Sequence, residues 1–123
     1  MIANSRIIKP YTAVYKDPMI IGMGDELRIG ERSTEYEGWI WCTDKSGKSA
    51  WVPESYLELK SDGTAISLLY YSSAELTVTE GEDVTFLQEE SGWLWCINDA
   101  NLTGWIPATC VDLRTSAGEQ TNP

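Results

Sequence analysis

The feature that most constrains the fold of this chain is an internal repeat. Residues 38–59 read GWIWCTDKSGKSAWVPESYLEL and residues 92–113 read GWLWCINDANLTGWIPATCVDL, so the two segments align without a gap at an offset of 54. Upstream, residues 24–27 match residues 81–84 at an offset of 57, which leaves three extra residues in the first copy. A length difference confined to one place is typical of a surface loop. The repeat therefore predicts two copies of one small structural unit.

The local pattern within each copy is strand and turn. Residues 26–29 and 84–87 are short and largely alternating or β-branched, and residues 39–43 and 50–52 flank the turn-rich stretch 44–47. Short strands separated by Gly and Pro favour an all-β fold with one small barrel per copy. A chain of 123 residues then divides into two tandem domains, at residues 1–60 and 65–114. Residues 61–64 are predicted as a linker and residues 115–123 as a disordered tail.

Alternation of side chains along the first repeated strand divides its residues between two faces. Ile40 and Cys42 share one face, and Trp39 and Trp41 share the other. Because Ile and Cys are among the most fully buried residue types, we expect the first pair in the core and the two Trp residues facing outward. Leu94 and Cys96 are their counterparts in the second copy.

Folding each repeated segment as a hairpin brings Trp residues together across the strands. A turn about Ser46 places Trp41 opposite Trp51, and a turn about Ala100 places Trp95 opposite Trp105. Each copy is thus expected to have a partly exposed aromatic surface with a Pro nearby, and such surfaces usually mark a contact site. Two other interpretations stay open, because the Trp residues could belong to the cores or the two copies could bury these faces against each other.

Charge excludes some classes of partner. The chain has 9 basic and 19 acidic residues, for a net charge of −10. An acidic protein repels nucleic acid and anionic membranes, whereas a basic ligand would be attracted. The charge is uneven, since residues 1–60 hold eight basic and nine acidic residues and residues 61–114 hold one and nine.

Residues that carry catalytic chemistry are scarce. The chain has no His, and residues 21–24 lack the further Gly that a phosphate-binding loop needs. Cys42 and Cys96 occupy equivalent positions, which indicates packing, and Cys110 stands alone. We therefore expect no enzyme activity, no metal and no cofactor. Three unpaired Cys and a start without an apolar segment favour a cytoplasmic location.

These motifs together resemble an SH3 domain. The resemblance rests on the order Gly-Asp-Glu-Leu, Gly-Trp, a hairpin and Trp-Val-Pro-Glu-Ser-Tyr-Leu, and it covers about residues 8–59 and 65–113. It is closest to the variant SH3 domains of bacterial proteins, which often occur in tandem. The resemblance implies two SH3-like β-barrels, each with an aromatic groove that binds extended, proline-rich segments. The ligand-binding residues it implies, with the aromatic partners from the hairpins, are Tyr15, Trp39, Trp41, Trp51, Pro53 and Tyr56 in the first copy and Tyr71, Trp93, Trp95, Trp105 and Pro107 in the second.

Departures from the family pattern make the first copy the better candidate for a working groove. Cys110 stands where the first copy has Tyr56, and the loop after the early aromatic segment is short in both copies. Acidic residues flank both grooves, at Glu35 and Glu37 and at Glu89 and Glu90, and could attract a basic ligand residue.

The function predicted from the sequence is a tandem adaptor that binds a protein or peptide segment, proline-rich or basic. One alternative is a structural or assembly module whose aromatic faces pack on each other or on a second chain. Another is a bacterial SH3-like domain that binds cell-wall peptides.

Overall fold

The computed structural model describes residues 3–14 and 17–113, and nearly all regular structure in these ranges is β-strand. The prediction of an all-β fold is confirmed. Two short 3-10 helices, Glu54–Tyr56 and Ala108–Cys110, complete the regular structure of the described ranges. The strands are β1 (Ala3–Ile7), β2 (Ile20–Ile21), β3 (Glu26–Arg32), β4 (Trp39–Thr43), β5 (Ser49–Pro53), β6 (Leu57–Leu59), β7 (Thr64–Ser67), β8 (Tyr71–Ser72), β9 (Asp83–Glu90), β10 (Trp93–Ile97), β11 (Thr103–Pro107) and β12 (Val111–Leu113).

The chain forms two compact units that are not its two halves. One, the contiguous unit, is Asp17–Ser73. The other, the split unit, combines Met1–Lys16 with Ala74–Pro123. Each unit has its own five-stranded sheet and its own buried core.

The contiguous unit contains a five-stranded sheet in the order β5-β4-β3-β7-β6, together with the two-stranded ladder β2-β8. Alternate residues of these strands point inward, and Leu27, Ile40, Cys42 and Val52 are almost completely buried. The turn from β6 to β7 is tight, with Gly63 at a φ of 86°. Glycine adopts this left-handed conformation without the steric cost that other residues meet.

The split unit contains a five-stranded sheet in the order β11-β10-β9-β1-β12. Its core is a cluster from widely separated parts of the chain, namely Ile7, Leu76, Val78, Val84, Leu94, Cys96, Ile106, Cys110 and Val111. Strand β1 pairs with β9 on one side and with β12 on the other, so the N-terminal segment completes this sheet.

Each unit takes its first strand from the other copy of the repeat. Gly24 donates its backbone N–H to Ser67 in the contiguous unit, and its counterpart Gly81 donates to Ile7 in the split unit. Likewise Leu68 donates to Tyr56, and Ile8 donates to Cys110. Residues 3–14, the N-terminal arm, and residues 64–73, the central arm, are thus exchanged between the copies.

The predicted domain boundaries, 1–60 and 65–114, are corrected by this exchange. The predicted linker at residues 61–64 is the turn between β6 and β7, where Asp62 Oδ1 accepts hydrogen bonds from Thr64 N and Thr64 Oγ1 at 3.1 and 2.6 Å. The connections between the units lie elsewhere, after residue 14 and between Ser73 and Ala74. The predicted tail, residues 115–123, lies outside the described residues.

Helices of the length and apolarity needed to cross a membrane do not occur in residues 3–14 and 17–113.

Candidate aromatic grooves

The predicted hairpin register is confirmed in both units. Trp41 is the direct cross-strand partner of Trp51, and Trp95 is the partner of Trp105. The indole rings of each pair meet edge to face, with centroids 5.0 Å apart in the first pair and 5.1 Å apart in the second. Edge-to-face contact is the favoured geometry of an aromatic pair, so the two Trp pairs stabilise their hairpins.

Alternation along β4 and β10 also places the predicted residues in the two cores. Ile40 and Cys42 are 1% and 0% exposed, and Leu94 and Cys96 are 1% and 0% exposed. Burial raises the pKa of the Cys42 and Cys96 thiols to about 12, because a thiolate would lose its hydration. These two thiols are therefore protonated and unreactive at neutral pH.

A partly exposed aromatic pair lies on the split unit. Tyr11, from the N-terminal arm, meets Trp93 of β10 edge to face, with ring centroids 5.7 Å apart and an interplanar angle of 82°. Both side chains are partly exposed. Pro107 is the cross-strand partner of Trp93 and is buried, so its ring lies on the same side of the sheet as the indole. We call Tyr11, Trp93 and Pro107 the split-unit groove.

Glu75 holds the tyrosine of this groove in place. Its Oε1 accepts a hydrogen bond from the Tyr11 hydroxyl at 2.9 Å and one from the Val14 backbone N–H at 2.7 Å. Tyr11 also forms a backbone bridge with Val78, which fixes the main chain beneath the ring. The ring that meets Trp93 is therefore positioned by the sheet and by a carboxylate at once.

The corresponding surface of the contiguous unit is closed. Trp39 is 4% exposed, Tyr56 8% and Tyr71 3%. The two Tyr rings meet edge to face at 5.7 Å, and the Tyr71 hydroxyl donates to the Trp51 carbonyl oxygen at 2.6 Å. The prediction that Trp39 faces outward is wrong, whereas its counterpart Trp93 in the second copy is partly exposed.

Burial divides the remaining Trp residues differently in the two units. Trp41 and Trp51 are both partly exposed, as is Trp95, but Trp105 is only 5% exposed. Residues 74–76 run beside Trp105, whose N–H donates to Ala74 and whose carbonyl accepts from Leu76. The outward Trp pair of the split unit is therefore less available than predicted, while that of the contiguous unit is available in part.

The groove tyrosine of the split unit was not predicted. The early aromatic segment was assigned to Tyr15, which lies outside the described residues. Tyr11 is the counterpart of Tyr71. Ile8 and Leu68 donate equivalent backbone hydrogen bonds in the two units, and each Tyr lies at the same number of residues after its donor. An alignment of the two arms at an offset of 60 residues contains this signal, but the arms share too few identical residues to reveal it.

Two acidic residues of β9 lie close to Trp93 in the sheet. Glu90 is the cross-strand partner of Trp93, and Glu89 is the exposed neighbour next to it on β9. Glu35 and Glu37 of the first copy precede Trp39 in the sequence and are exposed. There Arg32 donates two hydrogen bonds of 3.0 Å to Glu54 in a bidentate ion pair, and Ala108 stands at the position of Glu54 in the split unit.

Groups of His, Cys, Asp or Glu that could hold a metal ion do not occur in the part of the chain that the structure describes. No family model matches the chain.

Proposed function

We propose that the split unit is a non-enzymatic, SH3-like peptide-binding module, and that its groove holds an extended segment of another protein. The observation that carries the proposal is the Tyr11–Trp93 pair, two partly exposed rings held edge to face at 5.7 Å over a buried proline. Partly exposed rings fixed at such an angle offer apolar surface on which the flat, rigid rings of a polyproline II segment can pack.

A proline-rich segment that also carries basic residues fits the charge around this groove. Residues 74–113 contain eight acidic residues and no basic one. The basic side chains of the described part of the split unit are Arg6 and Lys9, and Arg6 lies 3.7 Å from Asp83. Exposed charges of this kind steer and orient a ligand more than they tighten its binding. Three buried thiols without disulfides support a cytoplasmic setting for this interaction.

A structural role is the second candidate, and it applies to the contiguous unit. Its groove residues Trp39, Pro53, Tyr56 and Tyr71 are all buried, which leaves no open cleft. On this interpretation the contiguous unit supports the chain and the split unit binds the ligand.

The test is a titration of the six Trp indole N–H signals by proton–nitrogen NMR, with a pooled set of proline-rich and basic peptides. We expect the Trp93 signal to shift and the Trp39 signal to stay unchanged. Trp93→Ala should abolish binding, because it removes one of the two partly exposed rings of the site. Leu102→Ala is the matched control, since Leu102 is 59% exposed in the same unit at the β10–β11 turn.

Two results decide between the candidates. Shifts confined to Trp41 and Trp51 would place the ligand on the contiguous unit and contradict the proposed groove. An unchanged spectrum with every peptide would contradict peptide binding of this chemistry and favour the structural role.

A further inference from the structure

We propose that the chain associates with a second copy of itself by trading N-terminal arms, so that residues 3–14 of each chain complete the split unit of the other. This inference does not depend on the proposed peptide ligand. It rests on the exchange of arms inside the chain and on the different dependence of the two units on the N-terminal arm.

The split unit needs the arm to be complete. Strand β1 lies between β9 and β12, and it is the only strand with which β12 pairs in the described part of the sheet. Ile7 is 0% exposed within the core cluster. Beyond the strand, the Ala13 N–H donates to Thr77 Oγ1 at 3.0 Å, and Tyr11 bonds Glu75. A split unit without its arm therefore exposes apolar surface and an open strand edge, both of which favour capture of any available arm.

The contiguous unit does not need the N-terminal arm. All five strands of its main sheet and both strands of its small ladder lie within Asp17–Ser73. The arm can consequently leave the split unit while the contiguous unit stays folded, as a local opening rather than a global unfolding.

The connection between Ser73 and Ala74 favours exchange of arms between chains over a return of the N-terminal arm to its own copy of the repeat. The chain passes from Ser73, whose N–H donates to the Met19 carbonyl oxygen, directly to Ala74, whose carbonyl accepts from Trp105. These contacts lie in different units although the two residues are adjacent. The chain thus changes unit between two adjacent residues, and a short connection of this kind favours the exchange of segments between chains.

The two forms contain the same contacts, so their ratio depends on chain concentration. Within one chain the arm is tethered to its site, which corresponds to an effective concentration of about 1 mM for a short flexible link. At about 10 μM total chain, roughly one arm in a hundred would sit in another chain, and at about 1 mM roughly half would. In the dimer each groove would receive its tyrosine from the other chain.

A disulfide between the arm and its sheet tests the proposal. Arg6 is the direct partner of Asp83, and both side chains are exposed, so Arg6→Cys/Asp83→Cys should oxidise to a disulfide without disturbing either core. The three native thiols are buried and would stay reduced. The variant is unfolded in urea with a reductant, refolded at about 10 μM and at about 1 mM, and then oxidised. Non-reducing gels and light scattering should show the disulfide within single chains in the dilute sample and a covalent dimer in about half of the concentrated one.

The control is Arg6→Cys/Glu26→Cys, because Glu26 is the counterpart of Asp83 in the first copy. It should form no disulfide at either concentration. A disulfide in this control would mean that the arm returns to its own copy, and would overturn the proposal. A purely monomeric concentrated sample, or a dimer whose disulfides all stay within single chains, would overturn it as well.

Discussion

Ser5 and Ala65 occupy equivalent positions in the two sheets, and they differ by one buried hydroxyl. Ser5 is 2% exposed, and its Oγ has no hydrogen-bond partner in the described part of the chain. Ala65, 0% exposed, avoids this cost in the contiguous unit. A buried hydroxyl without a partner lowers stability, because it has lost its hydrogen bonds to water. The N-terminal arm is thus bound to the split unit less tightly than it would be with alanine at position 5.

Ser5→Ala should therefore stabilise the split unit, by about 1 kcal/mol. The measurement is urea unfolding followed by the indole signals of Trp93 and Trp95. The control is Ser67→Ala in the contiguous unit, followed by the Trp41 and Trp51 signals, because Ser67 is equally buried but its Oγ donates to the Leu69 carbonyl oxygen at 2.7 Å. That control should lower the free energy of unfolding by about 1 kcal/mol. Equal effects of the two substitutions would show that Ser5 has a partner after all.

Gly104 differs from its counterpart Ala50 because another segment lies against it. A Cβ at Gly104 would come within 2.6 Å of the backbone of Glu75 and Leu76. Gly104→Ala should force residues 75 and 76 away from β11 and cost roughly 1–3 kcal/mol of stability. The reverse change, Ala50→Gly, removes a methyl group and adds chain freedom, so its cost should be near 1 kcal/mol. Thermal unfolding of both variants measures the difference, and an unaffected Gly104→Ala protein would contradict the close approach.

At the scale of elements, the hairpin turns of the two copies have the same hydrogen-bond pattern, but the accepting side chain is Asp in one and Asn in the other. Asp44 Oδ1 accepts hydrogen bonds from the Ser46 and Lys48 N–H groups at 2.9 and 3.0 Å, and Asn98 Oδ1 accepts from Ala100 and Leu102 at the same distances. Such side-chain acceptors stabilise a turn by replacing backbone partners. Each hairpin turn also contains a residue in the left-handed conformation. This residue is Gly47 in the first copy, with a φ of 94°, and Asn101 in the second, with a φ of 64°.

Asn101→Gly should stabilise the second hairpin, by a few tenths of a kcal/mol up to about 1, because glycine adopts this φ without strain. Gly47→Asn is the matched reverse change and should destabilise the first hairpin by a similar amount. Hydrogen exchange of the β10–β11 and β4–β5 amides reports each hairpin separately. Slower exchange in both variants would contradict the argument.

Much of this element-level structure can be predicted from the sequence. Alternation and the Trp spacing place Ile40 and Cys42 inside and pair Trp41 with Trp51, because these features depend on neighbours within one hairpin. The exchange of arms could not be predicted in this way. Local pattern does not specify which copy of the repeat a strand such as β1 pairs with, because the two copies have equivalent strands. The burial of Trp39 escaped prediction for a related reason, since burial depends on segments distant in sequence.

At the scale of the whole molecule, the two units differ in how they depend on acidity. Three carboxyl groups with lowered pKa values lie in the contiguous unit. Hydrogen bonds from Arg32 lower the pKa of Glu54, and those from Thr64 lower that of Asp62. Burial alone would raise the pKa of Asp44, but hydrogen bonds from the Ser46 side chain and from turn N–H groups outweigh it and lower the pKa. Asn98 and Ala108 replace two of these groups in the split unit.

The contiguous unit should consequently lose stability in acid. Because these folded-state pKa values lie below the unfolded ones, the carboxylates stabilise the fold at neutral pH, and the stabilisation disappears as the pH falls below about 4. Asp62 is exposed and the other two carboxyl groups are partly exposed, so the effect should be modest and reduced by salt. Urea unfolding at pH 7 and pH 3, read from Trp41 and Trp51, measures it. Asp44→Asn/Glu54→Gln should show a smaller acid loss, and an unchanged loss would exclude these carboxylates as the cause.

The pairing of β1 with β12 has a mechanical consequence. The two strands are antiparallel neighbours, with Ser5 beside Leu113 and Ile7 beside Val111, so the outer ends of both strands lie at the same edge of the split unit. A force pulling those ends apart loads the backbone hydrogen bonds one at a time, which is the weak, unzipping direction for a β-ladder. The contiguous unit is inserted between the two parts of the split unit and bears no load until they separate. Stretching a single molecule should therefore give two events, an early one at low force and a later one when the shielded unit yields.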